Sequence, residues 1–427
     1  MRTLIIKSLY TLLLLPLAII RIIFKATKNP LYLSRLYERF ALFPKINNSI
    51  DIWFHTVSVG EFIAAQSLID QVIANNHKIK LLLTCTTPTG SKLIQSYIQK
   101  KKIKYNIDIS HYYYPYDVRV ICSKFLNNVK PNLAVFFETE IWPKMFTEVK
   151  KRSIKLMIVN ARLSEKSFQG YNKIQEFIAE ALNKVDFIAA QAEADKNRFI
   201  NLGYDSDKIK VFGNIKYNIN LPTDLTEESG YYKKSLGQNR LILIAASTHP
   251  GEDEIILNIY LRIKQKFPGL LLILAPRHPE RFEKVYNLCE RFNLETLKYS
   301  EFDDQINYTT KNVLVLNTIG KLLYFYNIAD LAFIGGSLVK VGGHNPLEPA
   351  ILAVPTIMGE NYYNFNEIIT DLFKHNGISI VKNEDELQFE IEKLLANPDL
   401  REQIGQSAKK SFESHHGILE RYMKLLN

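Results

Sequence analysis

The sequence predicts an α/β protein, with two doubly wound parallel-sheet domains preceded by an apolar N-terminal helix. Three observations carry that expectation. Short runs rich in Val, Ile and Leu alternate with longer segments of helical period, as in a parallel sheet with crossover helices. At 427 residues the chain exceeds one domain at about 150 residues each. A polar, turn-rich stretch, Asn218 to Arg240, separates the runs into two sets. The expected organisation is a membrane anchor over 1–24, an N-terminal domain over 25–217, a linker over 218–240 and a C-terminal domain over 241–427.

The anchor is expected from Thr3 to Phe24, the most apolar stretch of the chain. Its uninterrupted core, Ser8 to Ile20, is short of the ~20 residues a spanning helix needs, and Pro16 is expected to kink it. No small-residue cleavage site follows, which argues against a signal peptide. Arg21, Lys25, Lys28, Arg35 and Arg39 form a cationic flank that should stay cytoplasmic. Such a helix either just spans the bilayer or lies in its interface; the competing reading is a buried core helix.

In the first half, strands are expected at Asp51–His55, Lys80–Thr84, Leu133–Phe137, Lys155–Val159 and Asp186–Ala190. In the second they are expected at Leu241–Ala246, Leu270–Ala275, Val313–Leu316, Leu331–Gly335, Thr356–Met358 and Ile378–Val381. Open sheets of this kind bind ligands outside the carboxyl ends of their strands, and two joined by a hinge are expected to enclose a deep interdomain cleft. Polar residues just after strands are therefore the candidates.

Composition narrows the chemistry. The formal charge is +10, which favours anionic partners, although a Lys-, Asn- and Ile-rich composition also fits codon bias. Cys85, Cys122 and Cys289 are far apart without CxxC spacing, so neither a disulfide framework nor a thiolate metal site is expected. No basic helix interleaved with aromatics occurs, and no nucleic-acid partner is expected. GxGxxG and GxxxxGK[ST] are absent, and Asp205-Ser206-Asp207 is a turn rather than a metal site.

Four stretches carry candidate chemistry. In His55-Thr56-Val57-Ser58-Val59-Gly60-Glu61 a strand gives way to a helix whose first turn holds Glu61. There it is either a simple dipole-stabilised acid or, facing a substrate, a general base. Phe137-Glu138-Thr139-Glu140 follows another apolar strand. Glu138 is favoured for chemistry, with Thr139 as helix cap and Glu140 as first-turn decoration. Arg277, after the strand ending at Ala275-Pro276, offers a guanidinium fork for phosphate or carboxylate. Finally, Gly335-Gly336-Ser337 leads into Gly342-Gly343-His344-Asn345-Pro346-Leu347-Glu348. Here Asn345 is expected to cap a helix starting at Pro346, the glycines to present N–H groups to a phosphate, and Glu348 to accept from ribose hydroxyls.

Taken in order, HTVSVGE, TTPTGS (Thr86–Ser91), PYD (Pro115–Asp117), ETEIWP, NARLS (Asn160–Ser164), AAQ (Ala189–Gln191), STHPGE (Ser247–Glu252), LILAPRHPERF and GGSLVKVGGHNPLEPA resemble the bacterial 3-deoxy-D-manno-octulosonic acid (Kdo) transferases. The resemblance runs from the anchor to near Ala350. It implies a GT-B glycosyltransferase of two Rossmann-like domains that moves Kdo from CMP-Kdo to lipid IVA at the inner membrane, without cofactor or catalytic metal. It makes Glu61 the general base and has Glu138 and Lys216 stabilise the transition state. It assigns CMP binding to Pro276, Arg277, Ile319, Gly320, Lys321, Asn345, Pro346, Leu347 and Glu348. At Ile319-Gly320-Lys321 the chain departs from the Met-Gly-Glu common in relatives, reversing a charge. The alternative is another transferase or epimerase using a UDP-sugar.

Overall fold

The computed structural model describes residues 2–46, 49–303 and 306–426, with side chains throughout except at 2–9, 11–14 and 28. The chain divides into two compact units, Met1–Asn218 with Gly417–Asn427, and Ile219–His416.

The first unit contains a seven-stranded, all-parallel sheet. Its strands are β1 (Ile50–His55), β2 (Lys80–Cys85), β3 (Asp108–Tyr113), β4 (Pro131–Phe137), β5 (Lys155–Ala161), β6 (Phe187–Ala190) and β7 (Ile209–Val211). The order is β3-β2-β1-β4-β5-β6-β7, which reverses beside β1, so the turns after β1 and β4 open at the switch point where doubly wound sheets bind ligands. The central strands are nearly continuous apolar runs, with Trp53, Ala134, Val135, Phe136 and Ile158 fully buried. Helices on both faces require that.

The second unit repeats the plan with β8 (Ile242–Thr248), β9 (Leu271–Pro276), β10 (Thr296–Lys298), β11 (Val313–Val315), β12 (Leu331–Ile334), β13 (Thr356–Gly359) and β14 (Ser379–Val381). Their order is β10-β11-β9-β8-β12-β13-β14. Here too the order reverses, beside β8, which places Arg277 and the Gly335–Leu338 loop at the carboxyl ends of the two strands that flank it, β9 and β12.

The fold differs from the sequence expectation in four places. The strands β3, β7 and β10 were not anticipated; all three are sheet edges, where one flank lacks a partner and a continuous apolar run is not needed. The expected linker carries a helix, Leu225–Leu236, packed on the helix Leu322–Tyr326. Its buried residues Leu225, Ser229, Tyr232 and Leu236 keep helical spacing, but Ser229 and the adjacent Gly230 dilute the apolar signal. Tyr232 stacks on Phe325 at 4.9 Å. The helix Ile418–Leu426, expected in the C-terminal domain, instead packs on the helix Val59–Asn75 of the first unit.

The fourth difference concerns the anchor. A helix runs from Arg2 to Lys28, continuous through Pro16. Among the described residues no helix is long and apolar enough to cross a membrane; much of the expected apolar core lies outside the residues whose side chains are described. Tyr10 donates to Asp117 Oδ2 at 2.6 Å and Ile22 is buried, while Leu17, Ile20, Ile23 and Phe24 are exposed. The cationic flank is also shorter than expected. Arg35 bonds Glu38 at 2.7 Å as well as Ser91 and the His111 carbonyl, and Arg39 is buried.

Candidate active site

Each unit gathers polar residues at the carboxyl ends of its strands. In the first, β1 ends at His55 and Ser58 caps the helix Val59–Asn75. Ser58 Oγ accepts from the Glu61 N–H at 3.4 Å and donates to Glu61 Oε1 at 3.1 Å, while the Val57 N–H donates to Oε2 at 2.6 Å. This is a variant of the reciprocal Ser-x-x-Glu cap. Glu61 is thus an acid of the first turn of that helix, and the reciprocal bonds also fix its carboxylate's position. Gly60 is helical without a positive φ, and a Cβ there would meet nothing nearer than Ser58 Oγ at 4.0 Å. The turn does not need a glycine; its absence of side chain leaves the space beside Glu61 open.

Burial and then the negative charge of Glu138 push the Glu61 carboxyl up to about 7; the Val57 N–H, Ser58 and Lys216 pull the other way. A carboxylate so placed is poised to take a proton near neutral pH. Glu138 stands just past β4 in the left-handed region, φ 58°, its N–H donating to the Val159 carbonyl at 3.1 Å. A non-glycine residue held there stores roughly 1–3 kcal/mol of strain, a common mark of functional sites.

Glu140 does not decorate a helix. Thr139 donates to the Arg162 carbonyl instead of capping, and the next helix starts only at Pro143. That leaves Glu140 turned inward, accepting from Trp142 Nε1 at 2.7 Å with His55 Nε2 at 4.0 Å. Burial, Glu61 and Glu138 raise its carboxyl to about 8. His55 is fully buried and pushed down to about 3, so the contact joins two neutral groups.

Lys216 sits in the turn Ile215–Tyr217, held by side chains for which the sequence offered motifs but no roles. Asn160, at φ 50° in a β-bulge of β5, accepts from the Ile215 N–H at 3.0 Å. Gln191 donates to the Asn160 carbonyl and accepts from Asn214, both at 2.9 Å. Asn214 in turn accepts from the Lys216 N–H at 3.0 Å. Tyr422 completes the support, accepting from the Asn160 N–H at 3.1 Å and donating to the Gly213 carbonyl at 3.0 Å.

In the second unit Arg277 follows β9, its N–H donating to the Thr248 carbonyl at 3.1 Å. Asn345 accepts from the Leu347 N–H at 3.1 Å and lies 3.5 Å from Glu348, but the helix starts at Leu347 with Pro346 in the cap position, one residue later than expected. Burial raises the Glu348 carboxyl, opposed by Asn345 and Arg277. Asn345 and Glu348 thus lie side by side, with Arg277 near enough for its charge to act on Glu348; Pro276 precedes Arg277, and Pro346 and Leu347 follow Asn345. Ile319 is exposed, and Gly320 has φ 93° with open space around it. Lys321 is drawn onto Glu228 of the helix Leu225–Leu236, at 2.8 and 2.9 Å, so the reversed charge has an internal partner.

The glycine loop does not offer its N–H groups as expected. Glu252, fully buried, accepts from the backbone of His249, Gly336, Ser337 and Leu338 at 2.7–3.1 Å. Gly335 is needed for close approach, since a Cβ would lie 2.6 Å from the Ser247 carbonyl. His249 and His344, which the sequence reading left without a role, stack with Nε2 atoms 2.8 Å apart. His344 is pushed down to about 4 by burial and then Arg277, and burial also lowers His249. Among the described residues no cluster of three or more His, Cys, Asp or Glu is arranged to hold a metal.

Comparison with known proteins decides between the readings. A family profile described as 3-deoxy-D-manno-octulosonic-acid transferase (kdotransferase) matches residues 34–219, and one for glycosyl transferases group 1 matches 299–411. The chain is 36% identical over 426 residues to the 3-deoxy-D-manno-octulosonic acid transferase of Haemophilus influenzae, covering 98% of each. It belongs to the Kdo transferase family. The Rickettsia felis member is 32% identical over 88% of this Kdo transferase and 78% of its own length. UDP-GlcNAc 2-epimerase from Neisseria meningitidis, solved with UDP-GlcNAc, is 13% identical with a TM-score of 0.56, over 88% of this chain and all of that one. That likeness is one of fold, two parallel-sheet units of GT-B type. The enzyme is a glycosyltransferase, and the UDP-sugar alternative is set aside.

Proposed function

We propose that the enzyme transfers Kdo from CMP-Kdo to a primary hydroxyl of lipid IVA with inversion, in lipopolysaccharide assembly at the cytoplasmic face of the inner membrane. The observation that carries the reading is the setting of Glu61. It is fixed by Val57 and Ser58 and held near neutrality by burial and Glu138. Its carboxylate takes the hydroxyl proton as the oxygen attacks the anomeric carbon of Kdo. The bond to the phosphate oxygen breaks on the opposite face, and CMP leaves carrying the electron pair. CMP is already a good leaving group, so no general acid is required. Glu138 and Lys216 are assigned the stabilisation of the oxocarbenium-like state. Arg277, Asn345 and Glu348 are assigned the nucleotide, with Arg277 on its phosphate. The exposed Leu17, Ile20, Ile23 and Phe24 of the first helix, with Arg21 and Lys25 on the same helix, support the membrane assignment.

The test is mass spectrometry of products from lipid IVA, CMP-Kdo and purified enzyme. Wild type is expected to give Kdo-lipid IVA. Glu61→Ala is expected to fold, bind CMP-Kdo normally and lose at least about 10²-fold in turnover, the lower range for loss of a general base. Near-normal transfer by that variant removes Glu61 from the role. The reading routes no step through a metal, so turnover is expected to survive EDTA; loss restored by a divalent ion contradicts it.

A further inference from the structure

A cavity of about 780 Å³ lies within the first unit, between its first helix and the carboxyl ends of the central strands. Leu17, Ile22, Ile174, Phe177 and Trp142 supply apolar walls. At the other end stand Arg39, Tyr114 and Tyr116, none of which the transfer reaction above uses. Val57 and Glu140 also line it, so the cavity reaches the turn that fixes Glu61.

Arg39 is the unusual member. It is 5% exposed, and among the described residues no carboxylate pairs with it. Its guanidinium donates to the Thr86 carbonyl at 2.7 Å and lies 4.2 Å from the centre of the Tyr113 ring, while its Nε has no partner. The hydroxyls of Tyr114 and Tyr116 are likewise buried without partners. A buried cation lacking a counterion is costly, and so is a buried donor left unmade. Three such groups on one cavity describe an anion seat. Asp117, also on the wall, does not compete for the cation, because Tyr10 and the Lys144 and Met145 N–H groups already bond it. Arg21 and Lys25 of the first helix add positive charge along the same lining.

We propose that this cavity seats an anionic amphiphile, its phosphate on Arg39, Tyr114 and Tyr116 and its alkyl chain along the first helix. The occupant is taken to be the acylated, phosphorylated acceptor sugar, an identity that rests on the acceptor proposed above. A guanidinium and two hydroxyls meet a tetrahedral oxyanion with several donors at once, and the apolar walls take the hydrocarbon out of water.

The test is titration of the full-length protein with decyl phosphate below its micellar concentration, read by calorimetry and by fluorescence of Trp142. Decyl maltoside and inorganic phosphate form the parallel arms. Decyl phosphate is expected to bind tighter than either. Arg39→Met is expected to weaken it by about 10-fold and Tyr116→Phe by about 3-fold, as loss of a charge-assisted and a neutral hydrogen bond imply, with decyl maltoside and CMP unchanged. Equal affinity for the two amphiphiles, or undiminished decyl phosphate binding in both variants, overturns the proposal. Inorganic phosphate binding as tightly as decyl phosphate overturns the amphiphile half. If Arg39→Met fails to fold, Tyr116→Phe decides, since it keeps the ring. The assay uses neither donor nor turnover, so it stands or falls apart from the role of Glu61.

Discussion

On the proposed mechanism Glu61 must be ionised to take the hydroxyl proton, so its environment fixes a pH dependence. Turnover is expected to rise with pH and level off above about 7. Glu138→Gln removes the charge that raises the Glu61 pKa and should move that limb to lower pH; Lys216→Met removes one that lowers it and should move the limb up. A pH–rate profile that stays put in both variants contradicts the coupling. Stability follows the opposite course. A carboxyl whose pKa is higher folded than unfolded favours the folded state while protonated and loses that contribution as pH rises from the ordinary value to about 7. Glu61→Gln is therefore expected to raise the melting temperature at pH 8 more than at pH 5. At this scale the sequence revealed which strands end in carboxylates, but not which way the side chains face. Glu138 and Glu140 lie two apart, and only the left-handed backbone at Glu138 and the diverted Thr139 hydroxyl turn Glu140 inward.

Among the elements, most strands legible in the sequence were those paired on both flanks and buried on both faces, because burial demands continuous Val, Ile and Leu. The edge strands β3, β7 and β10 escaped, whereas the edge strand β14 was legible from Ile378 to Val381; the helix Leu225–Leu236, whose inward stripe includes a serine, escaped too. The glycine loop illustrates a different limit. Spacing marked it as a place of exposed N–H groups, yet Glu252, 84 residues before Gly336, takes those groups for itself. Glu252→Ala leaves four backbone donors unmet at once, those of Gly336 and Ser337 fully buried and each worth about 1–3 kcal/mol, so the variant is expected to melt far below wild type and to lose affinity for CMP. A melt within a few degrees of wild type contradicts that role. Tyr422→Phe tests the opposite end of the chain. It removes the hydroxyl that joins Asn160 to Gly213, and is expected to cost about 1–2 kcal/mol in chemical denaturation. It should also lower kcat while leaving the KM for CMP-Kdo unchanged, because the Lys216 turn loses its support. A change in KM alone contradicts this.

At the scale of the molecule, two doubly wound sheets were legible because parallel α/β architecture writes its period plainly. The division of the chain was not. Both ends of the chain belong to the first unit, and Ile219–His416 lies between them. The helix Ile418–Leu426 follows that whole segment in sequence, yet its Tyr422 secures the turn that carries Lys216. On the ribosome, the residues that finish the first unit emerge after all of the second. A chain stalled or clipped before Tyr422 therefore lacks the hydroxyl that braces the turn carrying Lys216, and on the proposed mechanism such an incomplete polypeptide is expected to transfer poorly.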